Sequence, residues 1–215
     1  ENPTFSSTDC ERLFREAIGC FAMILRFRYE DPLALKQITS IYTYLTALAN
    51  DLNTCLSYMQ EALIYVADNP TIHYNLGYIH LRMNRVELSL IHYKISLGLL
   101  ENAKESTDGE REENRKLCIN NYNGISSIYR SLKQWPEALH YLLKAERIDP
   151  KDPDVQNQLG VVYTEMRRTD LAERAYHCGI DNYKRAFVST DHTFLLSELY
   201  LNLGHMHSYN GNNEK

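Results

Sequence analysis

No run of apolar residues in this chain of 215 approaches the ~20 that a membrane-spanning helix needs. The stretch Ile18 to Leu25 is apolar but short, and Arg26 and Arg28 close it off. CxxC pairs are missing as well. Cys10, Cys20, Cys55, Cys118 and Cys178 are odd in number and widely spaced, which argues against a disulfide framework and a zinc ribbon. Their usage points to a reducing intracellular setting, with the cytoplasm as the expected compartment. There is no basic excess: the net charge of −5 makes a nucleic-acid backbone an unexpected partner. The chain starts at Glu1 with neither an initiator Met nor a signal peptide, so it is expected to be a piece of a longer protein.

What the chain does have is a period. Asn120–Pro150 and the stretch from Pro153 match at a spacing of 34, pairing Tyr129 with Tyr163, Ala138 with Ala172 and Ala145 with Gly179. A fixed spacing of this length marks a helix–turn–helix repeat rather than one closed core. A third unit opens at Pro70, where Leu76-Gly77 corresponds to Leu159-Gly160 and Tyr93 to Tyr176. A weaker unit opens at Lys36, with Tyr42-Thr43 in place of Leu-Gly, and Leu203-Gly204 repeats the signal near the end.

The repeated residue types have a physical logic. In the first helix of each unit, Leu, a small residue and Tyr three positions later share one face. The small residue lets the second helix approach, and Cys55, Ser89, Ala138 and Ala172 are its small counterparts there. One turn further on, Met59, Tyr93, Leu142 and Tyr176 fill the space between helix pairs. Asp149-Pro150 ends a helix and Pro153 suits the first turn of the next. Thr8 with Glu11 has capping-box spacing before an apolar stripe of Leu13, Phe14, Ile18, Phe21 and Leu25.

The expected organisation is one solenoid over 1–215. A capping helix or degenerate repeat spans 1–35 and ends at Asp31-Pro32. Repeats follow at 36–69, 70–118, 119–152 and 153–196, and the first helix of a truncated repeat lies at 197–215. Two insertions break the period. The polar stretch ENAKESTDGEREENRK, with a turn and capping signal at Thr107-Asp108-Gly109-Glu110, predicts long helices joined by a mobile turn. A second expansion surrounds Val188-Ser189-Thr190-Asp191.

This pattern resembles the tetratricopeptide repeat family, with its Leu-Gly, Tyr, Ala, aromatic, Ala and Pro positions. The units from Ile119 to about Ala186 carry it best, while in the unit from Pro70 His73 and His80 replace large aromatics. The resemblance implies an all-α fold, a right-handed superhelix of stacked antiparallel helix pairs whose first helices line a concave groove. It implies a scaffold for protein–protein interaction that binds a protein or an extended peptide.

The groove positions implied by that register are Tyr74, Asn75, Tyr78 and Arg82, then Asn123, Ser127 and Arg130, then Asn157 and Gln158, then Asn202 and His205. Asp154, Glu165, Leu201 and Tyr209 fall on the same face, and Tyr44 and Tyr74 add aromatic character. Asn75, Gln158 and Asn202 each precede a Leu-Gly pair, and an amide can donate and accept at once, as a peptide backbone requires. The superhelical arm of O-linked N-acetylglucosamine transferases has an asparagine ladder at the position these residues resemble, although Ile41 and Gly124 interrupt it here. The carboxylate clamp of chaperone-binding members is disfavoured, because Ser40, Tyr74, Asn123 and Asn157 stand where its first Lys is expected.

No catalytic constellation accompanies the period. His73 and His80 fall on the core face, His205 and His207 diverge, and neither pair has the converging partners that zinc needs. His177 and Cys178 are helix neighbours that cannot face each other as base and nucleophile. The expectation is therefore a non-catalytic interaction module without metal or cofactor. A substrate-recruiting arm of a larger glycosyltransferase is the alternative, and self-association through terminal helices a further possibility.

Overall fold

The computed structural model describes residues 7–28, 31–102, 107–186 and 193–211, which form ten helices and no strand. They are α1 (Ser7–Phe27), α2 (Pro32–Leu48), α3 (Leu52–Tyr65), α4 (Pro70–Arg82) and α5 (Val86–Glu101), then α6 (Asp108–Ser131), α7 (Trp135–Ile148), α8 (Pro153–Glu165), α9 (Thr169–Ala186) and α10 (Thr193–Gly211). The chain divides into two compact units, Glu1–Glu105 and Ser106–Lys215. In the first, α1 packs on α2, and the pairs α2–α3 and α4–α5 stack through α3–α4. In the second, the pairs α6–α7 and α8–α9 stack through α7–α8, and α10 packs on α8 and α9.

The helix starts follow from local chemistry. Asp31, Asp51, Asn69 and Asp152 are N-caps whose side chains accept from backbone N–H groups of the first turn, and Pro32, Pro70 and Pro153 follow three of them. Pro costs nothing there, because that N–H has no partner within the helix. This corrects one expectation. Asp31-Pro32 does not close α1 as Asp149-Pro150 closes α7; it opens α2, so Lys36 lies inside that helix. The Thr8–Glu11 signal is also displaced, since α1 already runs through Thr8.

Three helix ends share a device. Asn84, Lys133 and Arg167 have φ of 59°, 57° and 57°, the left-handed conformation of a residue just past a helix. Behind each, a backbone N–H reaches back into the last turn: Arg85 to His80 O, Gln134 to Tyr129 O and Arg168 to Tyr163 O, all at 2.8 Å. These bonds satisfy end carbonyls and reverse the chain within a few residues.

The paired helices close through small residues and rings. Tyr93 and Tyr176 are 1 % exposed and lie flat against the backbone at Gly77 and Gly160. Ser89 and Ala172 on the second helices of those pairs are fully buried, as is Ala138 of α7, and Met59 and Leu142 fill the large position in the other pairs. The buried Ser89 hydroxyl donates to Gly77 O at 2.7 Å and Ser96 donates to Pro70 O at 2.8 Å, so these polar groups do not go unpaired. Around them, Ile38, Leu45, Met59, Ile72 and Leu76 form the core of the first unit, and Leu142, Val155, Leu159 and Val162 that of the second.

From Asp108 on, the first insertion is helix. Thr107 and Glu110 form both bonds of a capping box, and α6 runs 24 residues from Asp108. Its early turns are anchored where Arg115 donates to Ile148 O at 2.7 Å, at the carbonyl end of α7 where a cation is favoured. Residues 103–106 and the second expansion around Val188–Asp191 lie outside the described residues.

Gly160 and Gly204 occupy the same register position and make opposite predictions. A Cβ on Gly160 would stand 2.6 Å from Tyr176 Cδ1, whereas at Gly204 nothing lies within 4 Å. Gly160→Ala is expected to cost about 1–3 kcal/mol by overpacking. Gly204→Ala is expected to add about 0.5–1 kcal/mol through helix propensity. Urea unfolding of the two variants, read as a lower and a higher midpoint, checks the pair.

Candidate functional site

The predicted binding residues lie on the first helices of the pairs and on α10, along the face that carries the exposed Tyr78, Arg82, Ser127 and His205. In the first unit that face belongs to α2 and α4. Tyr78 is 45 % exposed, and Arg82 lies four residues on, its Nη1 donating to the Tyr78 hydroxyl at 2.8 Å. The guanidinium also lies 5.8 Å from the centre of that ring, so the two side chains stand as one aromatic-cationic unit. Tyr74 is half-buried against Tyr93, with ring centres 5.8 Å apart, and Asn75 follows it partly exposed. Tyr44 of α2 is 63 % exposed and stacks on Phe14 of α1.

In the second unit the face belongs to α6, α8 and α10. Here the predicted amides do not stand apart. Asn202 Nδ2 donates to Asn157 Oδ1 at 3.0 Å, joining α10 to α8. Asn123 Nδ2 of α6 donates to Asp154 Oδ2 at 3.1 Å, and Gln158 Nε2 donates to the same oxygen at 3.0 Å. Asn157 is only 3 % exposed, so it supports Asn202 from beneath. The Asn123 Oδ1 atom is buried and accepts no bond. Ser127 and His205 are exposed on the rim, and the side chain of Tyr209 lies outside the described residues.

Charges in this network perturb one another. Burial lowers the Arg130 pKa, and Tyr176, Asp154, Glu198 and Glu165 act in the opposite direction. Asp154 keeps access to water, yet enough protein surrounds it to raise its carboxyl pKa. Burial is the main cause, with Asp152 and Glu198 adding to it and the Gln158 bond and Arg130 opposing it. A guanidinium among three carboxylates and several amides offers both donors and acceptors in a partly water-shielded place.

Sequence reasoning found Arg130 and Asp154 but overlooked Glu198. The signal was present: Glu198 has the register position of Asp154, the second in its unit. The histidines fall as expected for His73 and His80, which are 8 % and 6 % exposed. His205 is exposed, and His207 lies 3.9 Å from Glu173. Among the described residues no group of three or more His, Cys, Asp or Glu is placed to hold a metal ion, and no helix is long and apolar enough to cross a membrane.

Antiparallel helix pairs, closed by a ring or a large aliphatic on a small residue and stacked pair on pair, define an all-α repeat protein of the solenoid type. In fold it is similar to tetratricopeptide repeat proteins. The family profile described as TPR repeat matches residues 127–166, which span the end of α6, all of α7 and all of α8. BtubC (BKLC) from P. vanneervenii has a similar fold, with a TM-score of 0.72 at 21 % identity over 96 % of this chain and 85 % of that one. YrrB, described as a TPR protein with an unusual peptide-binding site, aligns at 0.57 with 16 % identity over 90 % and 85 %. MamA aligns at 0.57 with 13 % identity over 86 % and 98 %. No curated protein matches the sequence.

The raised carboxyl predicts the sign of one substitution. A carboxylate whose folded pKa lies above its unfolded value opposes folding once pH exceeds the unfolded pKa, and acidification relieves that cost. Asp154→Asn keeps an oxygen for Asn123 and Gln158 and removes the charge. It is expected to leave neutral-pH stability unchanged or raise it by about 0.5 kcal/mol, discounted for water access. Thermal unfolding at pH 7 and pH 4 checks this, with the gain present at pH 7 and smaller at pH 4.

Proposed function

We propose that the chain is a non-catalytic interaction module that binds an extended protein segment along the face of α6, α8 and α10, with the face of α4 offering a separate contact surface in the first unit. The observation that supports this reading best is the network on the second face. Arg130, Asp154, Asn157, Gln158 and Asn202 set cationic donors, anionic acceptors and amides side by side. An extended backbone presents N–H and C=O in alternation, so it can use both kinds of group. A ligand of one charge sign would meet repulsion from part of the network. Asp154, Glu165 and Glu198 outnumber Arg130, which favours a segment that also carries basic side chains.

On the first face, Tyr78 and Arg82 provide stacking area and a charge. YrrB, similar in fold, is described as having a peptide-binding site, and this supports the mode of action by analogy of fold.

A second reading, an arm that recruits substrates for a larger glycosyltransferase, draws on Asn75, Gln158 and Asn202 at matching positions of three first helices. A parent chain without a catalytic domain would remove it. Self-association draws on α10, where Phe194 is 82 % and Leu201 57 % exposed and Gly204 has no ring over it. Light scattering across concentrations separates a stable monomer from a self-associating chain.

The groove reading is tested by recovering partners on the intact chain, then measuring the affinity of the recovered segment by calorimetry. Arg130→Ala, Asn202→Ala and Tyr78→Ala are each expected to weaken binding about tenfold or more, the loss of one hot-spot contact. Ser127→Ala, on the rim, is expected to change little. Unchanged affinity in all three first variants would defeat the proposal.

A further inference from the structure

Three histidines form a column in the seam between α4 and α5. His73 and His80 sit seven apart on α4, and His92 of α5 enters between them. Its ring centre lies 5.3 Å from that of His73 and 5.4 Å from that of His80, the latter pair nearly parallel at 10°.

The hydrogen bonds fix where the protons are. The Ala67 carbonyl can only accept, so His73 Nε2 donates to it at 2.9 Å, and in the neutral ring His73 Nδ1 is left bare. That nitrogen is 3.1 Å from His92 Nδ1, which must therefore be the donor of the pair. His80 Nδ1 is buried with no hydrogen-bond partner, which suits a bare nitrogen and not an N–H.

A further proton on the His80 or His92 ring finds no good place. On His80 Nδ1 it would be a buried donor without an acceptor. On His92 it would create a cation between two rings. The groups acting on the column do not compensate: Arg85, the N-cap of α5, brings a positive charge to bear on His80. No carboxylate is among the groups acting on His80 or His92 among the described residues.

We propose that His73, His92 and His80 form a proton-operated latch, which holds α5 on α4 while the rings are neutral and releases the seam on acidification. Burial first, then His73 and His80, push the His92 pKa down from 6.5 to about 4, and burial and Arg85 push His80 down too. A base whose folded pKa is depressed stabilises the fold fully above its unfolded pKa and loses that stabilisation as pH falls towards the folded value. For His92 the window runs from about 6.5 to 4, a factor of about ten per pH unit in the folding equilibrium and up to about 300 in all. Tyr74 and Tyr78 ride on α4, so release would also unsettle the first binding face; that consequence rests on the proposed function, and the latch does not.

Hydrogen exchange on the intact chain, with the pair α8–α9 as internal reference, tests this. Amide protection in α4 and α5 is expected to fall more than tenfold further than in α8 and α9 between pH 7 and pH 5. The excess should shrink in His92→Phe and in His80→Phe. Nitrogen NMR of the unsubstituted protein, which does not depend on the variants folding, should show His92 protonated at Nδ1 at pH 7.5 and titrating near pH 4. A His92 midpoint near 6.5, or equal acid loss in both helix pairs, would overturn the latch.

Discussion

A ring lying on a helix backbone is the contact on which the rest of this structure depends. Tyr93 over Gly77 and Tyr176 over Gly160 occupy space that any Cβ would take, so each pair closes to a distance set by the ring's thickness. The hydroxyl of Ser89 reaches the Gly77 carbonyl because of that approach. So does His92, the neighbour of Tyr93, which is carried against His73 and His80. In the second unit the same closure orients α8, turning Leu159 and Val162 into the core and leaving Asp154 and Gln158 on the opposite face. On α4 and α8 one steric fit thus separates a packing face from an outward face.

The two units use that separation differently. On α4 the outward residues are aromatic with one cation, and Arg82 already engages Tyr78. On α6, α8 and α10 they are charged and amide groups that bond across helices. Those bonds hold the side chains in place before any ligand arrives, which lowers the entropy that binding must overcome. They also leave Asp154 partly desolvated, with its charge only in part offset by Arg130 and Gln158. Stability is conceded there, as is common where a surface serves recognition.

Much of the fold was legible because the repeat forces the same residue types to recur every 34 positions. Leu-Gly-Tyr and the small residue on the second helix predict the pairs, and the burial of Leu76, Leu159, Ala138 and Ala172 follows that pattern. Features that depend on contacts between distant residues were less visible. Asp31-Pro32 reads equally as an end or a beginning, and the cap bond to Ala34 decides it. Lys133 and Arg167 adopt the left-handed conformation without being Gly or Asn, so their turns carry no compositional mark. The outward amides were singled out by register, but their bonds to Asp154 and to each other join residues 31 and 45 positions apart. His92 was missed because its role exists only once α5 lies against α4.

The most direct test of the central claim is side-chain NMR of the intact chain titrated with a partner segment recovered on it. The account predicts that the Arg130 guanidinium and the Gln158 and Asn202 amides shift together, while outward residues of α7 and α9 such as His140 and His177 stay fixed. Shifts confined to α7 and α9, with Arg130, Gln158 and Asn202 unmoved, would contradict it.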